Sequence, residues 1–263
     1  MKREHITYPT PQLMADAVAN RMLLLVNDML CEPDRERVDV ALTGGTDGTA
    51  ILQAIAGSSL LPIVDWSRVH FWWGDERFVP ADSNERNAVG AYDALLSQLL
   101  EKGLALPTQI HQMPADSRSP EQIAKAGDAE NEMLVNRAAE QYQQELVREL
   151  GENPKLDLAL FGIGPDGHFA SLFPDYPQVL IDGEHSLTAG VTNSPKLPPL
   201  RVTLTVPMIT RSDYVWICGS RSKKAEAIGL TWHEHDNPHL PASFADAVKQ
   251  VLWITDIDGG KNC

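Results

Sequence analysis

The sequence predicts an α/β fold: one domain over residues 1–263, with a mainly parallel sheet flanked by helices. Three observations predict it. Short apolar strands alternate with amphipathic stretches along the chain. One strand, LDLALFGIG (156–164), is almost continuously apolar, as expected where both faces of a parallel sheet are covered. Finally, 43% apolar residues in a 263-residue chain suffice for a sizeable core, and no repeat, low-complexity tract or composition shift marks a second domain.

The elements follow in order. Residues 11–30 read as a helix, with Leu13, Ala17, Met22, Leu24 and Leu25 near helical spacing. VDVALTGG (38–45) is a strand running into a glycine turn, and TAILQAIAG (49–57) a helix closed by Gly57. RVHFWWGDE (68–76) is a second strand with charge at its C-terminal end. NERNAVGAYDALLSQLL (84–100) reads as a helix opened by Asn84, and IHQMPA (110–115) as a short extended piece. Residues 120–150 form a long helix ending at Gly151, and the strand at 156–164 is followed by a short helix. LTAGVTN (187–193), RVTLTVP (201–207) and YVWICGS (214–220) are further strands, SKKAEAIGLTW (222–232) is helical, and VLWITDI (251–257) is the closing strand. NSPKLPPL (193–200), with three prolines, is a rigid loop within the domain.

Bulk charge narrows the function. A formal net charge of −14 repels nucleic acid and anionic membrane, so neither is expected as a partner. An anionic substrate would need a local basic cluster. Cys31, Cys218 and Cys263 are odd in number, far apart and without metal-ligand spacing, which suits reduced thiols in a cytoplasm. No secretory signal pattern is expected: the apolar run MLLLV (22–26) is short and meets Asn27 and Asp28.

In FGIGPDGHFASLFP (161–174), Gly162, Gly164 and Gly167 match G-x-G-x-x-G, and Asp182 follows at a distance suited to a ribose contact. A dinucleotide turn needs a long crossover helix, however, and Pro174 and Pro177 leave room for only about two turns. The glycines are therefore read as a sharp turn that approaches a ligand and delivers His168, with Asp166 two residues before it. The short helix expected there would aim its N-terminus at a cleft, favouring an anion and the neutral imidazole.

Other polar residues fall at strand ends, where open α/β sheets bind ligands. Thr43–Gly44–Gly45–Thr46 offers backbone amides to a phosphate but lacks the Lys-Ser/Thr ending of a nucleotide loop. Asp75–Glu76–Arg77 places an arginine where it can hold phosphate bidentately. Lys196, Arg201, Lys223 and Lys224 gather near two further strand ends. His233, His235 and His239 do not share one helical face and read as a surface loop rather than a metal site. No G-x-S-x-G elbow is present and Cys218 lies inside a strand, so a serine or cysteine nucleophile is not expected.

Taken together, these motifs resemble the glucosamine-6-phosphate isomerase/6-phosphogluconolactonase family. GIGPDGHFASLFP (162–174), NSPKLPPLRVTLTVP (193–207), WWGDERFVPADSNERNA (72–88), the LTGG turn (42–45) and the Lys224-Ala-Glu-Ala run after Gly219 resemble its signatures in order over about residues 38–256. The resemblance implies the sugar-phosphate isomerase-like fold shared with glucosamine-6-phosphate deaminase. Arg77 and the Ser171-Leu172-Phe173-Pro174 ending stand where the deaminase pattern has Tyr and Asn-Glu-Pro, which favours the lactonase. The implied reaction is hydrolysis of 6-phospho-D-glucono-1,5-lactone, a pentose phosphate pathway step, in the cytoplasm, without metal or organic cofactor, by a monomer or small homo-oligomer. His168 is then the expected general base with Asp166 beside it. Gly44, Gly45, Thr46, Asp75, Arg77, Gly167, Lys196, Arg201 and Lys224 are expected to bind the substrate and its phosphate. The chain departs from the family at Thr43-Gly44-Gly45-Thr46-Asp47-Gly48, where Asp47 adds a negative charge, and in the basic run Ser220-Arg221-Ser222-Lys223, which leaves open which lysine faces the ligand. A deaminase or isomerase acting on an amino-sugar phosphate, and a non-catalytic sugar-phosphate sensor, are the alternatives.

Overall fold

The computed structural model describes residues 2–263. In chain order its elements are β1 (Lys2–Tyr8), α1 (Pro11–Leu30), β2 (Val38–Leu42), α2 (Gly45–Gly57), β3 (Val69–Trp73), β4 (Asp75–Arg77), α3 (Asn87–Ala91), α4 (Ser97–Glu101), α5 (Pro120–Lys125) and α6 (Asp128–Leu150). Then come β5 (Leu158–Gly162), β6 (Thr188–Val191), β7 (Arg201–Leu204), α7 (Val206–Thr210), β8 (Tyr214–Gly219), α8 (Ala225–His233) and β9 (Gln250–Asp256). A six-stranded sheet runs β1-β9-β8-β5-β2-β3 with every pairing parallel, and β4-β7-β6 form a smaller antiparallel sheet. The expected α/β class with a mainly parallel sheet is what forms. Central strands β2 and β5 are apolar because helices cover them: α1 and α2 pack on each other and on these strands, and their core residues are buried. Among the described residues no helix is long and apolar enough to cross a membrane.

Several elements differ from the sequence reading. Strand β1, which precedes the first expected helix, pairs with β9 and was not expected. The strand expected over 68–76 divides at Gly74. There the backbone N–H bonds to Leu42 O in the large sheet (3.2 Å), while Gly74 O accepts from Leu204 N in the small one (2.9 Å). A Cβ at Gly74 would lie 2.4 Å from the Phe161 ring, so only glycine lets the chain cross between sheets here. The strands expected at 187–193 and 201–207 accordingly belong to the small sheet. Helix α2 starts at Gly45, not residue 49, so the glycine turn forms its first turn. IHQMPA touches the sheet through one bridge, Phe71 to Ile110. The helix expected over 120–150 breaks at Ala126–Gly127, although Gly151 closes it as expected with φ +85.

Two corrections bear on function. The helix expected from 84 begins at Asn87, and Asn84 does not cap it. Its first amides bond instead to Glu76 from β4, a non-local cap that local pattern cannot reveal. No helix follows Gly167. Gly167 (φ +81) and Ala170 (φ +48) turn the chain back on itself, with bridges Ile163–Phe169 and Phe169–Leu172, and the next helical turn is a 3-10 turn at Pro177–Leu180. No helix N-terminus therefore acts on His168 from this segment.

The open edge of β3 is closed from α6. The buried Tyr142 hydroxyl accepts from Trp73 N (2.9 Å) and donates to Trp73 O (3.3 Å), so one side chain satisfies both backbone groups that an edge would expose. Tyr142→Phe leaves that N–H unpaired in a dry environment. It is expected to lower stability by about 1–3 kcal/mol, measured as a lower urea midpoint at unchanged slope.

Candidate active site

The order of the large sheet creates a crevice. From β2 the chain continues to the neighbouring β3, at one edge, whereas from β5 it continues to β8 on the other side. Helical crossovers diverge at such a reversal and leave a gap at the carboxyl ends of the strands. A cavity of about 200 Å³ fills this gap, between the turn after β2 and the turn after β5. The two turns are tied together: Gly162 N donates to Thr43 Oγ1 (3.2 Å). Gly45 holds φ +75, and a Cβ at Gly44 would lie 1.8 Å from Asn87 Oδ1. Glycine is required at both positions.

His168 lines the cavity from the β5 turn. Its Nδ1 is 2.5 Å from Asp166 Oδ1, and Lys196 Nζ lies 3.0 Å from both that oxygen and Nδ1. A carboxylate can only accept, so Nδ1 donates to Asp166 and Nε2 keeps the lone pair. Burial disfavours the Asp166 carboxylate, but hydrogen bonds and charge from His168 and Lys196 outweigh it and hold the carboxyl well below the usual range. Gly164 lies against the ring: a Cβ there would sit 2.0 Å from His168 Nδ1. Phe173 packs on the imidazole at 4.8 Å between centroids.

Two arginines face the same cavity from the small sheet. Arg77 and Arg201 are cross-strand partners, a like-charge pair that is unfavourable unless something negative lies near. Arg201 is 4% exposed, and its guanidinium donates to the carbonyls of Pro198 (2.8 Å), Lys196 (3.1 Å) and Leu197 (3.2 Å). The proline-rich loop thus fixes the arginine in place. Arg77 donates to Glu85 O at 2.5 Å. Asp75 accepts from Ser171 Oγ (2.6 Å) and Asn87 Nδ2 (3.3 Å), linking the segment after the β5 turn and the start of α3 to β4.

The departure at Asp47 has a structural account. Its carboxylate is buried and turns away from solvent toward the loop after β8. It accepts from Ser220 Oγ (2.6 Å), Ser220 N (3.2 Å), Arg221 Nη1 (3.0 Å) and Lys224 Nζ (2.7 Å). Burial opposes its charge, but Lys224 and Ser220 hold its carboxyl below the usual range. Lys224, not Lys223, lines the cavity, while Lys223 is exposed.

Gly44, Gly45, Thr46, Asp75, Arg77, His168, Lys196, Arg201 and Lys224 therefore converge on one cavity. Asp166 and Gly167 are not among its lining residues; Asp166 reaches it through His168. Thr43, Glu76, Asn87, Ser171, Ser220 and Arg221 lie in motifs the sequence displays but have no individual role in that reading, because each acts through a partner remote in sequence. Glu76 is the clearest case. It is 1% exposed, and its oxygens accept from Asn87 N (2.7 Å), Ala88 N (2.8 Å) and Arg77 N (2.8 Å), with Arg86 Nη2 at 3.7 Å. Burial nevertheless pushes its carboxyl up.

A parallel-sheet α/β fold with a histidine–carboxylate pair and cations at its switch point is the arrangement of an enzyme that moves protons on a small anionic substrate. Over residues 9–253 the chain matches the model of the family described as Glucosamine-6-phosphate isomerases/6-phosphogluconolactonase, and it belongs to that family. It is 36% identical to a 6-phosphogluconolactonase of Streptomyces coelicolor, covering 95% of this chain and 91% of that one. It is 33% identical to the 6-phosphogluconolactonase of Mycobacterium tuberculosis, covering 95% and 94%. Among solved structures, 6-phosphogluconolactonase from Trypanosoma brucei superposes with a TM-score of 0.79 at 22% identity, covering 99% and 98% of the two chains. A monomeric glucosamine-6-phosphate deaminase gives 0.72 at 17% identity, covering both chains completely. These two likenesses establish the fold.

Glu76→Gln keeps the size of the side chain but turns an amide donor toward Asn87 N–H or Ala88 N–H. A loss of about 1–3 kcal/mol in chemical denaturation is expected.

Proposed function

We propose that this chain hydrolyses 6-phospho-D-glucono-1,5-lactone to 6-phospho-D-gluconate. The observation that carries this reading is that His168, hydrogen-bonded to Asp166 behind it, shares one cavity with the opposed arginines Arg77 and Arg201 in a chain of net charge −14. The pair supplies proton transfer to a neutral electrophile, and the arginines supply a dianion site. The relatives named 6-phosphogluconolactonase, matched over nearly their full length, point to the same substrate.

In this mechanism Nε2 of neutral His168 takes a proton from water as the water oxygen bonds to the lactone carbonyl carbon. The carbonyl electrons move onto oxygen, and amides of the glycine turn at 43–46 stabilise the charge that develops. Collapse re-forms the carbonyl and breaks the bond to the ring oxygen, which receives the proton back from the imidazolium. Asp166 fixes the tautomer and balances the imidazolium, and Lys196 holds the aspartate in turn. Arg77, Arg201 and Lys224 bind the phosphate; Lys224 is the weaker contributor because Asp47 already balances it. The scheme needs no metal or organic cofactor, since a lactone carbonyl is already reactive toward water. Residues 1–263 act as one catalytic domain in the cytoplasm, as a monomer or small homo-oligomer.

His168→Ala is expected to lower kcat by about 10²–10⁴-fold with little change in KM, measured on freshly made lactone with the spontaneous opening subtracted. Gly164→Ala, whose methyl would displace the imidazole, is expected to lower kcat by about 10²-fold while His168 remains in the chain. Near wild-type turnover in His168→Ala would sink the mechanism. Ammonia release from glucosamine 6-phosphate would decide for a deaminase, and a ligand-dependent Tm rise without lactone turnover for a sensor. Because Asp166 stays ionised well into acid, its own protonation is not expected to contribute to a fall of kcat/KM between neutral and mildly acidic pH, measured on freshly made lactone.

A further inference from the structure

A second cluster of donor atoms lies toward the other end of β3 from the cavity. His70 on β3, His111 beside it and Glu149 in the last turn of α6 bring one ligand atom each within 4.8 Å of one another. His111 is held against the strand by its own backbone N–H, which donates to Phe71 O (2.8 Å). The two imidazoles meet edge to edge, with His70 Nδ1 2.9 Å from His111 Nε2 and only 15° between the ring planes.

The His111 ring is buried and stacked on Trp72 at 3.9 Å. Its far nitrogen, Nδ1, lies 2.8 Å from Glu145 Oε1. That carboxylate accepts a hydrogen bond from Nδ1–H, so Nε2 presents a lone pair toward His70. A carboxylate behind the ring and a lone pair in front is the arrangement that orients metal-bound histidines.

We propose that His70 Nδ1, His111 Nε2 and a Glu149 carboxylate oxygen form a binding site for a divalent transition ion of the zinc class, with Glu145 as the outer carboxylate behind His111. Two nitrogens and one oxygen suit such an ion; calcium and magnesium take oxygen ligands. The surrounding charge permits it. Arg37 donates to Asp39 through Nε and Nη2 and lies 3.5 Å from Glu149, while Arg148 lies 3.3 Å from Glu149 and 3.6 Å from Glu145. Glu145, Glu149 and Asp39 outnumber these two guanidiniums, so a dication enters a net negative setting. In the structure the paired nitrogens share one proton. At metal–nitrogen distances of about 2.0–2.1 Å, tetrahedral geometry puts two nitrogens about 3.3 Å apart. The rings therefore separate by a few tenths of an ångström and turn toward Glu149, the shared proton leaves to solvent, and water fills the fourth position. The ion would join β3, the segment at 111 and α6, three stretches far apart in sequence, away from the hydrolytic cavity.

The test is calorimetric titration of chelator-stripped full-length protein with zinc chloride, with cobalt(II) as a spectroscopic stand-in. One ion per chain is expected, with proton release, a rise in Tm and the visible absorption of tetrahedral cobalt. His70→Ala and Glu149→Gln should each abolish this binding, and Glu145→Gln should weaken it by about 10–100-fold. His70→Ala without metal should keep wild-type lactone turnover, which shows that it folds. A variant with alanine at His233, His235 and His239 should still bind. Absence of zinc binding in the wild type, unchanged binding in His70→Ala, or loss of binding only in the His233/His235/His239 variant would overturn the proposal.

Discussion

The reversal of strand order between β2 and β5 is the constraint on which the rest of this structure depends. Two parallel neighbours whose crossovers leave in opposite directions cannot have their carboxyl ends covered by the same helix. The gap needs turns that are short, close and free of Cβ atoms, and Gly44, Gly45 and Gly164 stand where side chains would collide or strain. The Thr43–Gly162 hydrogen bond then sets the distance between the two walls. The turn residues and His168 inherit their positions from this junction, while the small sheet brings Arg77 and Arg201 to the same cavity.

Charge is handled locally rather than globally. The acidic surface would repel an anion, yet the cavity holds arginines and lysines that are restrained by specific partners. Arg201 is held by three carbonyls, Lys196 by Asp166 and Lys224 by Asp47. Such anchoring removes much of the side-chain freedom that binding would otherwise have to remove. It also grades the cations. Asp47 pairs directly with Lys224, whereas Arg201 is bonded to neutral carbonyls; burial lowers its pKa, and the charge of nearby Asp75 works against that.

How much of this was legible in the sequence depends on whether the signal was local. Apolar periodicity located the large-sheet strands other than β1, and glycines beside polar residues located the turn residues and His168. What local pattern missed lies in non-local pairing. Glu76 caps a helix eleven residues away and Asn87 packs against Gly44, contacts that exist only after β4 joins β7. The short helix expected after Gly167 failed for a related reason. Its residues bond across the turn, with Gly164 N–H on His168 O, and positive φ at Gly167 and Ala170 rules out continued helix. Strand β1 went unnoticed because its sequence, KREHITY, is largely polar; it becomes a strand by pairing with apolar β9.

Gly74 has a consequence for how the chain can vary. Residues 69–77 serve two sheets in succession, and alternate side chains of the second piece face opposite ways. Asp75 and Arg77 line the cavity while Glu76 between them is buried against the start of α3. Inserting or deleting one residue at this crossing would exchange those faces together, turning the capping carboxylate toward the ligand and both cavity residues into the interior. The stretch therefore tolerates changes of side chain far better than changes of length, whereas the exposed loop at 81–85 has no such parity to keep.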